Sequence, residues 1–188
     1  MARMQSYDYD RHEGIDEITW PRFAELTAKL VEQLAPFKVD TVVGIARGGL
    51  FPATLVACGL RREFYPVRIT RRVSDRVVYE RPVWRVDVPP EVIGRTVAVI
   101  DEITDTGETL ALVAQRVRAR GAARVVTASL VSHSWADPAP ELVALVTDAL
   151  VLFPWDRQVY VEGRWQTHPE LAEAIATQQA GRTENHAS

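Results

Sequence analysis

Val97-Ala-Val-Ile-Asp101-Glu102-Ile-Thr-Asp105-Thr106-Gly107-Glu108-Thr109-Leu110 decides the fold of this chain. The aliphatic run Val97 to Ile100 has the continuous apolar character of a strand buried on both faces of a parallel sheet. From Leu110 the apolar residues recur at helical spacing, so the segment reads as strand, turn, helix. Asp101, Glu102 and Asp105 then fall at the carboxyl end of a strand, where open α/β sheets bind their ligands. The turn Thr106-Gly107-Glu108-Thr109 opens a helix, and its free backbone N–H groups and two hydroxyls suit a phosphate monoester. Asp101 and Glu102 are placed to accept hydrogen bonds from two neighbouring hydroxyls. A phosphate cradle beside a diol clamp is the outline of a ribose 5-phosphate.

The rest of the chain supplies elements of matching type. Thr19 with Pro21 predicts a helix start, Phe23, Leu26, Leu30, Val31 and Leu34 keep helical spacing, and Pro36 ends the run. A short strand is predicted at Thr41–Ile45, followed by Ala46-Arg47-Gly48-Gly49 and a helix from Leu50 to about Leu60. Val67–Thr70 reads as another short strand, and Arg71–Pro82 as a long loop or exposed hairpin. The helix from Leu110 to Arg120 stops at Gly121. Arg124–Val131 is strand-like, Ser132–Glu141 is a Pro-containing loop, Ala149–Phe153 is a last apolar strand, and Leu171–Gln179 is a short helix. This alternation predicts an α/β fold, a parallel sheet with helices on both faces. No repeat and no linker divides the chain, so residues 1–180 are expected as a single domain with 181–188 a frayed tail.

Composition narrows the functional classes. A length of 188 residues suits one domain with a proper core. The net charge of −3 argues against a nucleic-acid surface. Cys58, the sole cysteine, lies in an apolar run, is expected as a small core residue, and excludes an internal disulfide. Met1 to His12 is polar without an apolar core, so no signal peptide is read there, and no stretch has the length of a membrane span. The expectation is a cytoplasmic protein without nucleic-acid or membrane partners.

The opening stretch resembles the phosphoribosyl pyrophosphate (PRPP) motif of the type I phosphoribosyltransferases, matching it at every defining position. That resemblance implies an open parallel sheet flanked by helices, with a small hood formed by the N- and C-terminal segments. It gives the ribose hydroxyls to Asp101 and Glu102, and the 5-phosphate to Asp105, Thr106, Gly107, Glu108 and Thr109. Gly44-Ile-Ala-Arg47-Gly48-Gly49 also follows a strand and opens a helix, and it is similar to the family's pyrophosphate loop. Arg47 and Gly48 are therefore expected on PRPP, and Ala46–Arg47 is the candidate for the strained, sometimes cis, peptide of that loop. The implied reaction displaces pyrophosphate from C1 of PRPP by a ring nitrogen of a nucleobase, with Mg²⁺ as cofactor. Asp105 falls where the purine-using branch keeps a catalytic carboxylate facing N7 of the base; a helix N-cap is its alternative role. Thr70–Trp84, with Arg71, Arg72, Arg76 and Arg81, corresponds to the family's mobile lid.

Leu150-Val151-Leu-Phe-Pro-Trp155-Asp156 resembles the base-binding strand of the xanthine-guanine and hypoxanthine enzymes, and Glu17-Ile-Thr-Trp20 also looks like these relatives. The similarity covers most of residues 15–160. It implies that Leu150 packs on the base, that Val151 offers backbone groups to its edge, and that Asp156 joins Asp101 and Glu102 in holding the metal. Trp155 is expected to pack structurally. One departure bears on the substrate. Enzymes for 6-oxopurines usually place a lysine after the strand equivalent to Thr127–Val131, and here Ser132 or His133 takes that place. A serine hydroxyl can donate or accept and so could meet an amino group. The reading is transfer to a purine or purine-like base, foremost 6-oxopurine salvage. The alternatives are a different or specialised base, or a PRPP-binding regulator without turnover. A homodimer or higher homo-oligomer is expected.

Overall fold

The chain's apolar runs become strands in the computed structural model, which describes residues 11–73, 76–80, 82–168 and 172. In chain order the elements are β1 (Ile15–Glu17), α1 (Trp20–Leu34), β2 (Thr41–Ile45), α2 (Leu50–Leu60), β3 (Glu63–Thr70), β4 (Arg72–Val73), β5 (Arg76–Val77), β6 (Val83–Val86), β7 (Thr96–Thr104), α3 (Glu108–Ala119), β8 (Arg124–Ser132), β9 (Leu142–Val146), β10 (Leu150–Leu152), β11 (Gln158–Val161) and β12 (Arg164–Thr167). Short 3-10 turns lie at Ala35–Phe37 and Pro90–Val92. The expected helix Leu171–Gln179 and tail 181–188 fall outside the described residues, Ala172 excepted, as do Met1 to Asp10. The chain forms two units, one from Ala24–Thr147 and one from its two ends, Met1–Phe23 with Asp148–Ser188.

The larger unit is built on a six-stranded sheet in the order β6-β3-β2-β7-β8-β9. The neighbours from β3 to β9 are parallel, and β6 closes the edge antiparallel to β3 with a register shift between Arg68 and Ile69. β2 is buried along its whole length, as its unbroken apolar run requires of a central parallel strand. Its alternation shows where the helices lie. Val43 and Ile45 join Val97, Val99, Leu110, Val113, Ala114 and Val117 in a core between the sheet and α3. Gly44 faces the other side, where an added Cβ would stand 2.8 Å from the Ala53 Cβ of α2. The sheet is thus covered by helices on both faces, as the βαβ pattern predicts. On α1, Lys29 Nζ donates to the Ala144 carbonyl at 2.6 Å and Gln33 Nε2 to that of Val143 at 3.1 Å, tying the helix to the β9 edge.

Several sequence expectations are corrected. β7 does not stop at Ile100 but continues to Thr104, because Asp101 pairs with Ser129 and Thr104 with Ser132 across β8. β3 begins at Glu63 rather than Val67, since its pairing with β2 starts at the Thr41–Glu63 register. β9 and the antiparallel β6 were not expected, whereas within Arg71–Pro82, read as a long loop or exposed hairpin, β4 and β5 pair antiparallel. Cys58 is exposed, not a core residue. Along α2, Phe51, Leu55 and Cys58 follow one another at i, i+4 and i+7 on the outer face, so an apolar run here does not mean burial.

In the smaller unit β1 and β10 pair in parallel, Ile15 with Leu150 and Glu17 with Leu152. β11 and β12 form a hairpin closed by Glu162 and Gly163, whose φ values of 51° and 80° suit a two-residue turn. Trp155 stacks on Phe153 at 4.8 Å and meets the edge of Phe23 at 5.2 Å, consistent with its expected packing role. Arg157 pairs with Glu17 at 2.6 Å, and Arg22 pairs with Asp16.

Candidate active site

The larger unit brings the two anion loops to neighbouring strand ends. β2 and β7 are adjacent and parallel, so Arg47-Gly48-Gly49 and Asp101-Glu102 leave the same edge of the sheet. The contact between them is close. A Cβ on Gly48 would lie 2.3 Å from Glu102 Oε1, and one on Gly49 would lie 2.7 Å from Asp101 Oδ1 and 2.6 Å from the Ile45 carbonyl. Only a backbone without side chains lets the Arg47 loop lie on the two carboxylates. The Ala46–Arg47 peptide is cis, as the resemblance anticipates. Arg47 is exposed.

The two acids differ in environment. Asp101 is buried, and its Oδ1 accepts from the Glu102 backbone N–H at 3.0 Å. Burial, followed by the negative charge of Glu102, pushes the Asp101 carboxyl well above the usual carboxylate range. Glu102 is half-buried. A cation or hydroxyl donor brought to this pair would favour its ionised form. Among the described residues no group of three or more His, Cys, Asp or Glu side chains is arranged to hold a metal ion. Two adjacent carboxylates still suit Mg²⁺, which binds through one or two carboxylates and takes its remaining oxygens from substrate phosphates and water.

The phosphate turn follows at once. Gly107 has φ +88° and caps α3 in the left-handed region, and no side chain caps the helix at that position. Gly107 itself therefore contributes no capping side chain to the backbone amides of the first turn. Thr106, Glu108 and Thr109 are exposed around the buried Gly107, and Thr106 Oγ1 accepts from the Glu108 N–H at 3.4 Å. Glu108 lies in the first turn of α3, where the helix dipole favours its charge.

Asp105 is half-buried between the acid pair and this turn. Its Oδ1 accepts a hydrogen bond from Trp135 Nε1–H at 2.9 Å, so that oxygen is engaged with the loop after β8 rather than with the helix. Trp135 was not singled out from sequence. The available signal was a lone indole two residues beyond His133, in a loop leaving the carboxyl end of a strand that flanks β7.

Ser132 ends β8 and is buried, with its hydroxyl donating to the His133 carbonyl at 3.2 Å. His133 is buried as well, and its Nδ1–H donates to the Thr147 carbonyl at 2.6 Å. Leu150, Val151 and Asp156 belong to the smaller unit, where Leu150 is buried, Val151 half-buried on β10, and Asp156 exposed. Arg71 is exposed, whereas Arg81 and the side chains of Arg72 and Arg76 lie outside the described residues.

Comparison with known proteins agrees with this geometry. The phosphoribosyl transferase domain family matches residues 17–161. Xanthine-guanine phosphoribosyltransferase of Cereibacter sphaeroides is 30% identical over 132 residues, covering 64% of this chain and 72% of that protein. Among solved structures, a purine phosphoribosyltransferase from Pyrococcus horikoshii superposes with a TM-score of 0.69 at 26% identity, over 79% of this chain and 98% of that one. Helicobacter pylori xanthine-guanine-hypoxanthine phosphoribosyltransferase shares the fold, with a TM-score of 0.63 at 17% identity over 77% and 93% of the two chains. Two glycine-lined loops at neighbouring strand ends, an acid pair and a Thr-Gly-Glu-Thr turn thus occur within a matched sequence, and the chain belongs to the phosphoribosyl transferase domain family.

Proposed function

We propose that the chain is a Mg²⁺-dependent phosphoribosyltransferase that moves ribose 5-phosphate from PRPP to a purine, foremost a 6-oxopurine, and releases pyrophosphate. The observation that carries the proposal is the packing of Gly48 and Gly49 on Glu102 and Asp101, beside the Thr106–Thr109 turn. PRPP needs an anion site at each end and a diol acceptor between them, and these segments supply that order. The Thr106–Thr109 turn receives the 5-phosphate on backbone N–H groups and hydroxyls. Asp101 and Glu102 accept from the ribose hydroxyls and would hold Mg²⁺. The Arg47 loop meets the pyrophosphate.

In the reaction the bond from C1 to the pyrophosphate oxygen breaks as the bond from C1 to a purine ring nitrogen forms. Its electron pair leaves with pyrophosphate, and the base loses a proton. Asp105 faces the base and takes or orients that proton. Arg47 and the loop amides stabilise charge growing on the leaving group. The metal, when bound, neutralises the phosphate oxygens.

The purine choice is supported by the xanthine-guanine relative and by the Leu150–Asp156 pattern. The missing lysine works against tight recognition of O6, and the Ser132 hydroxyl donates to the His133 carbonyl. An exposed apolar line on α2, Phe51 and Leu55, supports self-association. The deciding experiment offers adenine, guanine, hypoxanthine and xanthine with Mg²⁺-PRPP and reads pyrophosphate release. Turnover with a 6-oxopurine is expected. Release with adenine alone would overturn the base assignment, and release with no base would overturn the activity.

A further inference from the structure

We propose that Trp135 is the positioning residue for the Asp105 carboxylate, and that the loop carrying it braces the catalytic segment from both sides. The inference rests on the reading of Asp105 as the group that meets the base.

The side-chain contact comes first. An indole N–H can only donate, so the 2.9 Å contact from Trp135 Nε1 to Asp105 Oδ1 has one direction. A donor on an ionised carboxylate makes a stronger and more directional bond than one between neutral groups. It occupies Oδ1 and leaves Oδ2 without a hydrogen-bond partner among the described residues. One oxygen is pinned and the other is left for a substrate proton.

The indole is itself held. The His133 ring stacks on it with centroids 4.5 Å apart and planes at 19°. His133 is 2% exposed, and a carbonyl only accepts, so its bond to Thr147 fixes the proton on Nδ1 and the plane of the imidazole. The Trp135 plane is therefore set by a buried ring whose own orientation is set by a neighbouring strand end.

The backbone of the same loop flanks Asp105. The His133 N–H donates to the Thr104 carbonyl at 3.1 Å and the Asp137 N–H to the Thr106 carbonyl at 3.1 Å. The residues on either side of Asp105 are thus hydrogen-bonded to residues on either side of Trp135. Gly107 completes the contact, lying so near the Pro138 carbonyl that an added Cβ would stand 2.3 Å from its oxygen. This pattern fixes a carboxylate within the fraction of an ångström that an aligned proton transfer requires.

The test is Trp135→Phe, which keeps an aromatic face for His133 and removes the donor. Turnover should fall about tenfold or more, the size expected for losing a hydrogen bond to a charged group, while the KM for PRPP stays within about twofold. In an Asp105→Asn background the same change should cost no further turnover. A merely structural indole would instead raise the KM for PRPP and add its loss to that of Asp105→Asn. Should Trp135→Phe fail to fold, the ¹H–¹⁵N spectrum gives the same answer. One of the five indole signals should move on Asp105→Asn, and no movement would refute the contact. Wild-type protein inert toward every base would overturn the functional reading and this inference with it. Active wild type with a fully active Trp135→Phe variant would overturn this inference alone.

Discussion

At the scale of single residues the site is a set of close approaches. Asp105→Asn should cut turnover by about 10²–10⁴-fold and leave the PRPP dissociation constant nearly unchanged, because its partner is the base. Steady-state rates beside a direct PRPP titration check this, and a matched loss of affinity would return Asp105 to the sugar side. Gly107→Ala should lower the melting temperature. A non-glycine residue in the left-handed region costs roughly 1–2 kcal/mol, and the Pro138 carbonyl adds a steric cost of about 1–3 kcal/mol. An unchanged melting curve would show that the turn relaxes freely. At this scale the sequence was legible where spacing carries chemistry: Asp101, Glu102, the Thr106–Thr109 turn and the Arg47 loop share one sheet edge as their motifs implied. What could not be read were contacts between loops distant in sequence. Nothing in the order of residues ties Trp135 to Asp105 across the β7–β8 connection, nor spends Ser132 and His133 on backbone carbonyls.

Secondary-structure elements add a pH-dependent contact. Arg116 of α3 donates through Nε and Nη2 to both oxygens of Asp87, at 2.9 and 2.5 Å, and lies 5.7 Å over the Trp84 ring. The Arg116 hydrogen bond holds the Asp87 carboxyl down at about 2. A depressed carboxylate stabilises the fold above its ordinary value of 3.8, and the contribution is lost as pH falls through about 2. Both side chains are nearly half exposed, so solvent screens the pair and its contribution is small. Asp87→Asn should therefore lower the urea midpoint slightly at neutral pH, with the gap to wild type closing toward pH 2. A constant gap would show that charge is not the cause. Elements marked by an unbroken apolar run or a helical period were readable: β2, α2 and α3 lie within about two residues of expectation. β6, β11 and β12 were not, because short edge strands of mixed polarity depend on a partner, as β6 does on β3. β9 is an apolar run at the sheet's far edge, where Lys29 and Gln33 of α1 donate to its Ala144 and Val143 carbonyls.

For the whole molecule the consequence of binding is thermal. If PRPP and Mg²⁺ engage the folded chain alone, saturation at about 100 times the dissociation constant adds about 2.7 kcal/mol. In a chain of this size that corresponds to a rise of roughly 5–10 °C. A melting scan with and without PRPP reads it, and no shift at saturating PRPP would contradict the assigned sugar and phosphate contacts. The expected parallel sheet with helices on both faces is present, and the described residues of the chain's two ends group in a unit of their own. The near-contact of Gly107 with Pro138 also bears on engineering by transplantation. The phosphate turn looks portable, a short linear cassette between a strand and a helix. It is not self-sufficient, because its floor is the carbonyl of a loop some thirty residues downstream. Residues 101–110 grafted into a foreign strand–helix frame would arrive without that floor, whereas a donor piece running from 96 to 138 would bring it along.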